Sequence, residues 1–159
     1  MIKIQSLNKK DLFEIARIAN QCFKGYGSLA GAKKWLICNF SAFPRTQYFV
    51  AKEKDEILGY ILWLEKGGFR KSAVWELEQI AVKETARGRG VASFLIEQSL
   101  KKILDYLKKR SAKLKIVEVT TGTENQAQRL YQKTLDAQPE AIIKDLFRGD
   151  EVIMIARFS

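Results

Sequence analysis

The order of apolar and polar residues alternates between the period of a strand and the period of a helix. Residues 1–6 alternate and predict a first strand. The apolar residues of 12–23 recur at spacings of three and four, which predicts an amphipathic helix, and Asn8 with Asp11 after it predicts the N-cap. A second helix is predicted over 29–40, ending before Pro44.

The middle of the chain predicts three strands and a long helix. Residues 47–52 predict a strand, and the nearly unbroken apolar run 57–64 predicts a strand covered on both faces. Residues 74–82 predict a fourth strand, and residues 90–109 predict a long helix. Strict alternation on the fourth strand would divide its side chains between a face with Glu76, Glu78, Ile80 and Val82 and a face with Trp75, Leu77 and Ala81.

The last third predicts a strand, a short helix and a hairpin. The strand covers 113–120, the helix 124–135, and the hairpin joins 141–147 to 152–158 around Arg148-Gly149-Asp150. The predicted order is β-α-α-β-β-β-α-β-α-β-β. We therefore expect one α/β (α+β) domain spanning 1–159, with a mixed, mostly antiparallel sheet of about six to seven strands flanked by about four helices.

Composition excludes several classes of protein. With 47% hydrophobic and 29% charged residues, the chain is in the range of soluble globular proteins, not of disordered or fibrous ones. No segment approaches the roughly 18 consecutive apolar residues of a membrane span, and the first residues lack the layout of a secretory signal. We expect a cytoplasmic protein with no membrane partner.

The chain contains no histidine, which removes every catalytic scheme based on that residue. Its two cysteines, Cys22 and Cys38, are predicted to be buried thiols, and no metal site is expected because ligands are so few. Proton transfer must therefore use carboxylates, tyrosines, lysines, cysteines or water.

The net charge of +10 suggests nucleic acid, acidic lipid or a polyphosphate cofactor as partners. Much of the excess lies in Lys101-Lys102 and Lys108-Lys109-Arg110, near the end of the long predicted helix. Basic residues there complement the helix dipole, which favours a solvated face over a nucleic-acid site.

The segment Arg87-Gly88-Arg89-Gly90-Val91-Ala92 connects the fourth strand to the long helix. Glycines let a ligand approach the backbone, and the free N–H groups and dipole of a helix start attract an anion such as a diphosphate. A helix start without a ligand is one alternative. A nicotinamide-dinucleotide site is another, although Ser93 replaces the last glycine of that fingerprint and the motif follows the fourth strand instead of the first.

The same segment resembles the hallmark of the GNAT acetyltransferase family, Gln/Arg-x-x-Gly-x-Gly/Ala. Arg87, Gly90 and Ala92 match it, with Ile80-Ala81-Val82 before it and Phe94-Leu95-Ile96 after it, and the resemblance extends to the whole order of elements. It implies a GNAT fold and acetyl transfer from acetyl-coenzyme A to a primary amine of a small molecule, a protein N-terminus or a lysine.

The resemblance also implies which residues contact the cofactor. Backbone groups of Ile80, Ala81 and Val82 would pair with the pantetheine arm. Amides across the hallmark would hold the pyrophosphate, which assigns Arg87, Gly88, Arg89, Gly90, Val91, Ala92 and Ser93. A second family landmark, Asn-x-x-Ala-x-x-Leu-Tyr, is matched by Ala127, Leu130 and Tyr131, but Glu124 stands at the asparagine position. Asn125, one residue late, is the implied pantetheine contact.

Candidates for acid and base follow from the same resemblance. Tyr131 resembles the tyrosine that protonates the departing thiolate, with a core aromatic as the alternative. Glu76 aligns with the catalytic glutamate of histone acetyltransferases, and Glu118 resembles the base of ribosomal-protein alanine acetyltransferases. The resemblance implies that Glu78 lies closer than Glu76 to the acetyl end of the bound cofactor. Each glutamate could instead be solvent-facing or salt-bridged, and a base relayed through water stays open.

The acceptor is not identified by the sequence, because segment 23–46 and the final hairpin determine it. Gly25-Tyr26-Gly27 and Trp35 are candidates for the acceptor wall. Two other functions stay open: a nucleic-acid or ribosome-associated binding module on the same fold, and a nicotinamide-dinucleotide-binding enzyme. A homodimer is compatible with the sequence.

Overall fold

The chain folds into seven strands and four α-helices in the order predicted from its sequence. A computed structural model describes all residues from 1 to 159. The strands are β1 (Ile2–Ser6), β2 (Thr46–Glu53), β3 (Glu56–Lys66), β4 (Ser72–Val82), β5 (Lys113–Gly122), β6 (Gln138–Ile143) and β7 (Glu151–Arg157). The helices are α1 (Leu12–Cys22), α2 (Leu29–Ser41), α3 (Val91–Lys109) and α4 (Ala127–Leu135).

All seven strands belong to one mixed sheet with the order β1-β2-β3-β4-β5-β7-β6. The β1–β2, β5–β7 and β6–β7 pairs are antiparallel, whereas β4 and β5 are parallel. A parallel pair needs a crossover connection, and α3 provides it. The predicted α/β class and mixed sheet are confirmed. None of the helices combines the length and apolar character needed to cross a membrane.

The chain divides into two compact units. The first consists of Met1–Trp63 and Gln79–Ser99. Its core joins one face of α1 to residues of α2, β2 and β3, because the three-and-four spacing of apolar residues in α1 gives it a single buried stripe. The run Ile57–Trp63 is buried throughout, as predicted for a strand covered on both faces.

The second unit consists of Leu64–Glu78 and Leu100–Ser159. The β5–β7 ladder runs from Ile116↔Arg157 to Gly122↔Glu151. The β4–β5 ladder runs only from Ser72↔Lys113 to Glu76↔Glu118, although β4 continues to Val82. The end of β4 is therefore not part of that ladder.

Three predicted boundaries are wrong. Asn8 makes no side-chain cap, because a short 3₁₀ turn precedes α1, and the carboxylate of Asp11 accepts a 2.8 Å hydrogen bond from Lys52. Helix α4 begins at Ala127 and not at residue 124. Strand β6 covers 138–143 instead of 141–147, and Pro139 is tolerated there because β6 is an edge strand with a register shift beside that residue.

The burial of β4 agrees with the predicted division of its side chains. Trp75, Leu77 and Ala81 are buried, whereas the residues of the other predicted face, Glu76, Glu78, Ile80 and Val82, are half-buried, as is Gln79. The predicted burial of the two cysteines is wrong. Cys38 is exposed on the surface of α2, and Cys22 is only half-buried.

Candidate functional site

The loop between β4 and α3 has an open glycine surface. A 3₁₀ turn over Glu84–Ala86 follows the strand, and the buried side chains of Ala86 and Val91 anchor the two ends of the loop. Gly88 and Gly90 have φ values of 74° and 76°, in the left-handed region that glycine adopts without strain. A Cβ atom added at either glycine would meet nothing within 4 Å. The sequence thus builds a loop whose backbone a ligand can approach.

The start of α3 supplies hydrogen-bond donors to this loop. The N–H of Phe94 bonds to the carbonyl of Gly90 at 3.0 Å, so the helical hydrogen bonds begin there and the N–H groups of Val91, Ala92 and Ser93 have no carbonyl in the preceding turn. A cleft of about 140 Å³ contacts these residues and is lined by Val82, Ala86, Arg87, Gly88, Gly90, Val91, Ala92 and Ser93. The structure therefore brings most of the predicted pyrophosphate residues to one surface that suits an anion.

Protein groups hold both arginines of the loop. Arg89 donates a 2.8 Å hydrogen bond from Nη2 to Glu53 Oε2, and this bond lowers the pKa of the Glu53 carboxyl. Arg87 folds back, with Nε 3.3 Å from the carbonyl oxygen of Val82 and Nη2 3.7 Å from the Cys22 thiol. The backbone amides are consequently the groups of the loop that stay available to an anion.

The end of β4 lies against Gly59 of β3. A Cβ atom at Gly59 would be 2.5 Å from the carbonyl oxygen of Ala81 and 3.1 Å from the Cα of Val82. Gly59 is not among the residues predicted from the sequence, although an isolated glycine in an apolar strand is a signal for close backbone approach.

A second group that sequence analysis missed connects this strand to the segment after α1. The Tyr60 hydroxyl donates a 3.1 Å hydrogen bond to Gln79 Oε1, and Gln79 Nε2 donates to the Tyr26 hydroxyl. Burial, followed by the nearby Tyr26 and Tyr48, raises the pKa of Tyr60 well above its usual value, so it stays protonated. Tyr26, a predicted acceptor-wall residue, is thus fixed to β4, while Trp35 is exposed on α2.

The predicted glutamates include one pair of neighbours. Glu76 and Glu118 face each other in the β4–β5 ladder, and the Lys66 ammonium lies 3.4 Å from Glu76 and 3.0 Å from Glu118. The salt-bridged alternative thus describes the geometry of both residues. Glu78 is half-buried on the same strand.

Helix α4 carries the predicted acid. Tyr131 is 6% exposed, and burial raises its pKa to about 12. The side chain of Asn125 is engaged locally, because its Oδ1 accepts a 2.9 Å hydrogen bond from the N–H of Ala127. Glu124, at the family's asparagine position, lies ahead of the helix.

The fold is that of an α/β protein in which the fourth strand of a mixed sheet leads through an open glycine loop into a helix start. Such a helix start suits an anion. The model of the "Acetyltransferase (GNAT) family" matches residues 12–136, and the chain belongs to this family. This match does not favour the dinucleotide-binding or nucleic-acid-binding alternatives.

Individual relatives agree with the family. An uncharacterized N-acetyltransferase of Methanocaldococcus jannaschii is 26% identical over 153 residues, which cover 91% of this chain and 64% of that protein. The chain thus spans 64% of the length of this curated relative.

Solved structures share the fold. The ribosomal-protein-S18-alanine N-acetyltransferase of Escherichia coli superposes with a TM-score of 0.75 at 20% identity, covering 100% of this chain and 95% of that one. A mutant spermidine N-acetyltransferase of Vibrio cholerae gives 0.76 at 19% identity, with coverage of 98% and 93%. The predicted GNAT fold is confirmed.

Proposed function

We propose that the protein is an N-acetyltransferase that transfers an acetyl group from acetyl-coenzyme A directly to a primary amine, on a small molecule or on a protein. The observation that carries this proposal is the loop with two open left-handed glycines, Gly88 and Gly90, before the free amides of α3. Membership of the GNAT family supports the same chemistry.

The cofactor would bind through the backbone of β4 and α3. The amides across Arg87–Ser93 would hold the pyrophosphate, and Ile80–Val82 would pair with pantetheine. The carbonyl of Val82 already accepts from Arg87 and from the thiol of Cys22, which leaves its neighbours as the stronger candidates for that pairing. Asn125 would use its side-chain nitrogen, because its Oδ1 already accepts a hydrogen bond from the N–H of Ala127.

Tyr131 is the proposed acid. With a pKa of about 12, its hydroxyl is protonated at every physiological pH and available as a donor. A free thiol has a pKa of about 8.5, so the hydroxyl stabilises the leaving thiolate by hydrogen bonding more than by complete proton transfer. This donation lowers the barrier to C–S cleavage.

The base that removes the amine proton would come from Glu76, Glu78 or Glu118, directly or through water. Glu76 and Glu118 both form ion pairs with Lys66, so their side chains already contact an ammonium group. A Gln variant of each glutamate, measured as a pH–rate profile, identifies the base by loss of the acidic limb.

The acceptor would be a primary amine. The named activities of two structural neighbours concern spermidine and the alanine of a ribosomal protein, so amines of both kinds belong in the first screen.

Ligand-dependent stability tests the proposal. A ligand at one hundred times its Kd stabilises a protein by about 2.7 kcal/mol, so thermal shifts with acetyl-coenzyme A, coenzyme A, NAD and RNA separate the candidate functions. We expect a shift with the first two ligands only. The absence of a shift with acetyl-coenzyme A would rule the proposal out.

A pair of glycine variants makes this test specific. Gly90→Asp adds a carboxylate at the anion site, and we expect at least about a tenfold loss of acetyl-coenzyme A affinity. Gly68→Asp is the control, because Gly68 also has a positive φ, 90°, and open space around it but lies outside the loop. Equal losses in the two variants would argue against the loop as the pyrophosphate site.

A further inference from the structure

Two carboxylates stand side by side on neighbouring parallel strands. Glu76 of β4 and Glu118 of β5 are register partners, and their side chains are 18% and 20% exposed. Like charges directly opposite each other in a sheet repel, and partial burial strengthens the repulsion. This position therefore requires a cation.

Lys66, the last residue of β3, provides that cation. Its Nζ lies 3.0 Å from both carboxylate oxygens of Glu118 and 3.4 Å from Glu76 Oε2. Burial alone would lower the pKa of Lys66, but hydrogen bonding to Glu118 and the charges of both glutamates outweigh it and raise the pKa. The group between the carboxylates is thus a stable –CH₂–NH₃⁺.

The Lys66 side chain can move into solvent more easily than the side chains of Glu76 and Glu118. The Lys66 side chain is 39% exposed, about twice as much as either glutamate, so part of it already contacts solvent. Rotation of the lysine into water breaks no backbone hydrogen bond. What remains is a pair of carboxylates preformed for another ammonium group.

We propose that the Glu76–Glu118 pair is the ammonium subsite for the acceptor, occupied in the free protein by Lys66, which the acceptor displaces. Because the internal occupant is an unbranched –CH₂–NH₃⁺, the favoured acceptors are primary alkylamines such as polyamines or lysine side chains, in preference to α-branched amines such as protein N-termini. This inference rests on the proposed function.

The reaction at this subsite balances without a further reactant. The bound ammonium loses a proton to the carboxylate pair or to water, and the neutral nitrogen attacks the acetyl carbonyl. A C–N bond forms, the C–S bond of the thioester breaks, and coenzyme A leaves as a thiol. The products are an N-alkylacetamide, coenzyme A and one released proton.

The first test measures binding and needs no turnover. Lys66→Ala removes Cγ, Cδ, Cε and the ammonium group, and n-butylammonium carries the same unbranched –CH₂–NH₃⁺ end on the four-carbon stem of a whole lysine side chain. In the wild type, a ligand can bind only while Lys66 is out of the site, so its apparent affinity is scaled by the fraction of molecules in that open state. We therefore expect n-butylammonium to bind the variant at least about tenfold tighter than the wild type. Binding by sec-butylammonium and by n-butyltrimethylammonium should gain much less, because the first is branched and the second lacks N–H donors.

Two further variants control this test. Lys52→Ala removes another largely buried lysine, paired with Asp11 at 2.8 Å, and should show no gain in n-butylammonium binding. Lys66→Met keeps the methylene packing and repeats the measurement if Lys66→Ala does not fold. An absence of gain in a folded Lys66 variant, or an equal gain in Lys52→Ala, would overturn the proposal.

The second test is kinetic. Lys66→Met should lower the KM for n-butylamine by about tenfold and leave the KM for acetyl-coenzyme A unchanged, whereas Lys66→Arg should raise the amine KM, since a guanidinium pairs bidentately with a carboxylate. An unchanged amine KM in Lys66→Met, or a wild-type preference for sec-butylamine, would contradict the subsite but not the transferase. A wild type that binds no acetyl-coenzyme A would contradict the proposed function, while the binding test still decides on the ammonium site.

Discussion

The indole N–H of Trp63 donates a 2.8 Å hydrogen bond to the hydroxyl of Ser99, and both side chains are fully buried. The Ser99 hydroxyl in turn donates to the carbonyl of Leu95 at 2.6 Å, one turn earlier in α3. One serine thus satisfies a buried indole and links β3 to the helix whose first turn carries the candidate anion site.

Ser99→Ala should therefore lower stability. The substitution leaves the indole N–H of Trp63 buried without an acceptor, which costs about 1–3 kcal/mol. Urea denaturation followed by circular dichroism measures the change. Ser41→Ala is the control, because Ser41 makes the same bond to the preceding turn, 2.9 Å to the carbonyl of Ile37, on an exposed surface. Similar losses in the two variants would show that the indole bond contributes little.

Gly59→Ala should weaken cofactor binding without touching the loop. The new Cβ would lie 2.5 Å from the carbonyl oxygen of Ala81, so the end of β4 must shift. We expect about 1–3 kcal/mol of destabilisation together with a loss of acetyl-coenzyme A affinity, measured by calorimetry. In Gly122→Ala the nearest side-chain atom is 3.8 Å away, so that variant should retain its affinity. Normal affinity in a folded Gly59→Ala protein would argue against pantetheine pairing at Ile80–Val82.

The fold could be predicted because the spacing at which apolar residues recur distinguishes strands from helices. The order of these elements along the chain then limits the possible topologies. The failures occurred where a local rule depends on position in the sheet. Pro139 breaks a central strand but is tolerated on the edge strand β6, which the sequence alone does not place at an edge. A second failure is local: α4 begins at Ala127, directly after the turn in which Asn125 Oδ1 accepts a hydrogen bond from the N–H of Ala127.

The geometry of the candidate site could be predicted only where the backbone determines it. Residue type and spacing predict the open glycine loop before a helix start, and the structure has both. Contacts between strands could not be predicted, since nothing in the sequence gives the register that pairs Glu76 with Glu118 or the reach of Lys66 to both. The bond from Gln79 to Tyr26 was missed for the same reason.

Arg110→Met should strongly lower the free energy of unfolding. The guanidinium forms a bidentate pair with Glu65, which is 1% exposed, and stacks over the rings of Phe69 and Tyr106 at 5.2 Å. Its removal leaves a buried carboxylate unpaired, at a cost of about 3–5 kcal/mol in the free energy of unfolding.

The control for that variant is Arg157→Met, which breaks an exposed pair with Glu140 and should cost no more than about 1 kcal/mol. Glu65→Gln combined with Arg110→Met should recover part of the loss, because the remaining partner is then neutral. No recovery in the double variant would mean that ring stacking, and not the buried charge, accounts for the effect.

Alkaline stability should depend on Tyr131. Its folded pKa of about 12 exceeds the ordinary value of 10.0, so between these values the folded protein holds a proton that the unfolded chain has lost. This contribution is fully present below pH 10 and disappears as the pH rises to about 12. The free energy of unfolding, measured at pH 9 and at pH 11.5, should decrease less between these two values for Tyr131→Phe than for the wild type. Equal decreases would mean that the hydroxyl is accessible to water in solution.

Tyr131→Phe also tests the catalytic proposal, since the side chain keeps its ring and its packing but loses the donor. We expect kcat to fall by about 10²–10⁴-fold while the Kd for acetyl-coenzyme A stays nearly constant, because the hydroxyl would act on the leaving thiolate and not on the bound cofactor. Because burial keeps the hydroxyl protonated up to about pH 12, the wild-type rate should show no loss from tyrosine ionisation below about pH 11. Tyr60→Phe supplies the comparison with a buried tyrosine of the first unit, where stability should change more than kcat. Unaltered turnover in Tyr131→Phe would assign Tyr131 to the core, as the aromatic at helical spacing that its sequence position equally allows.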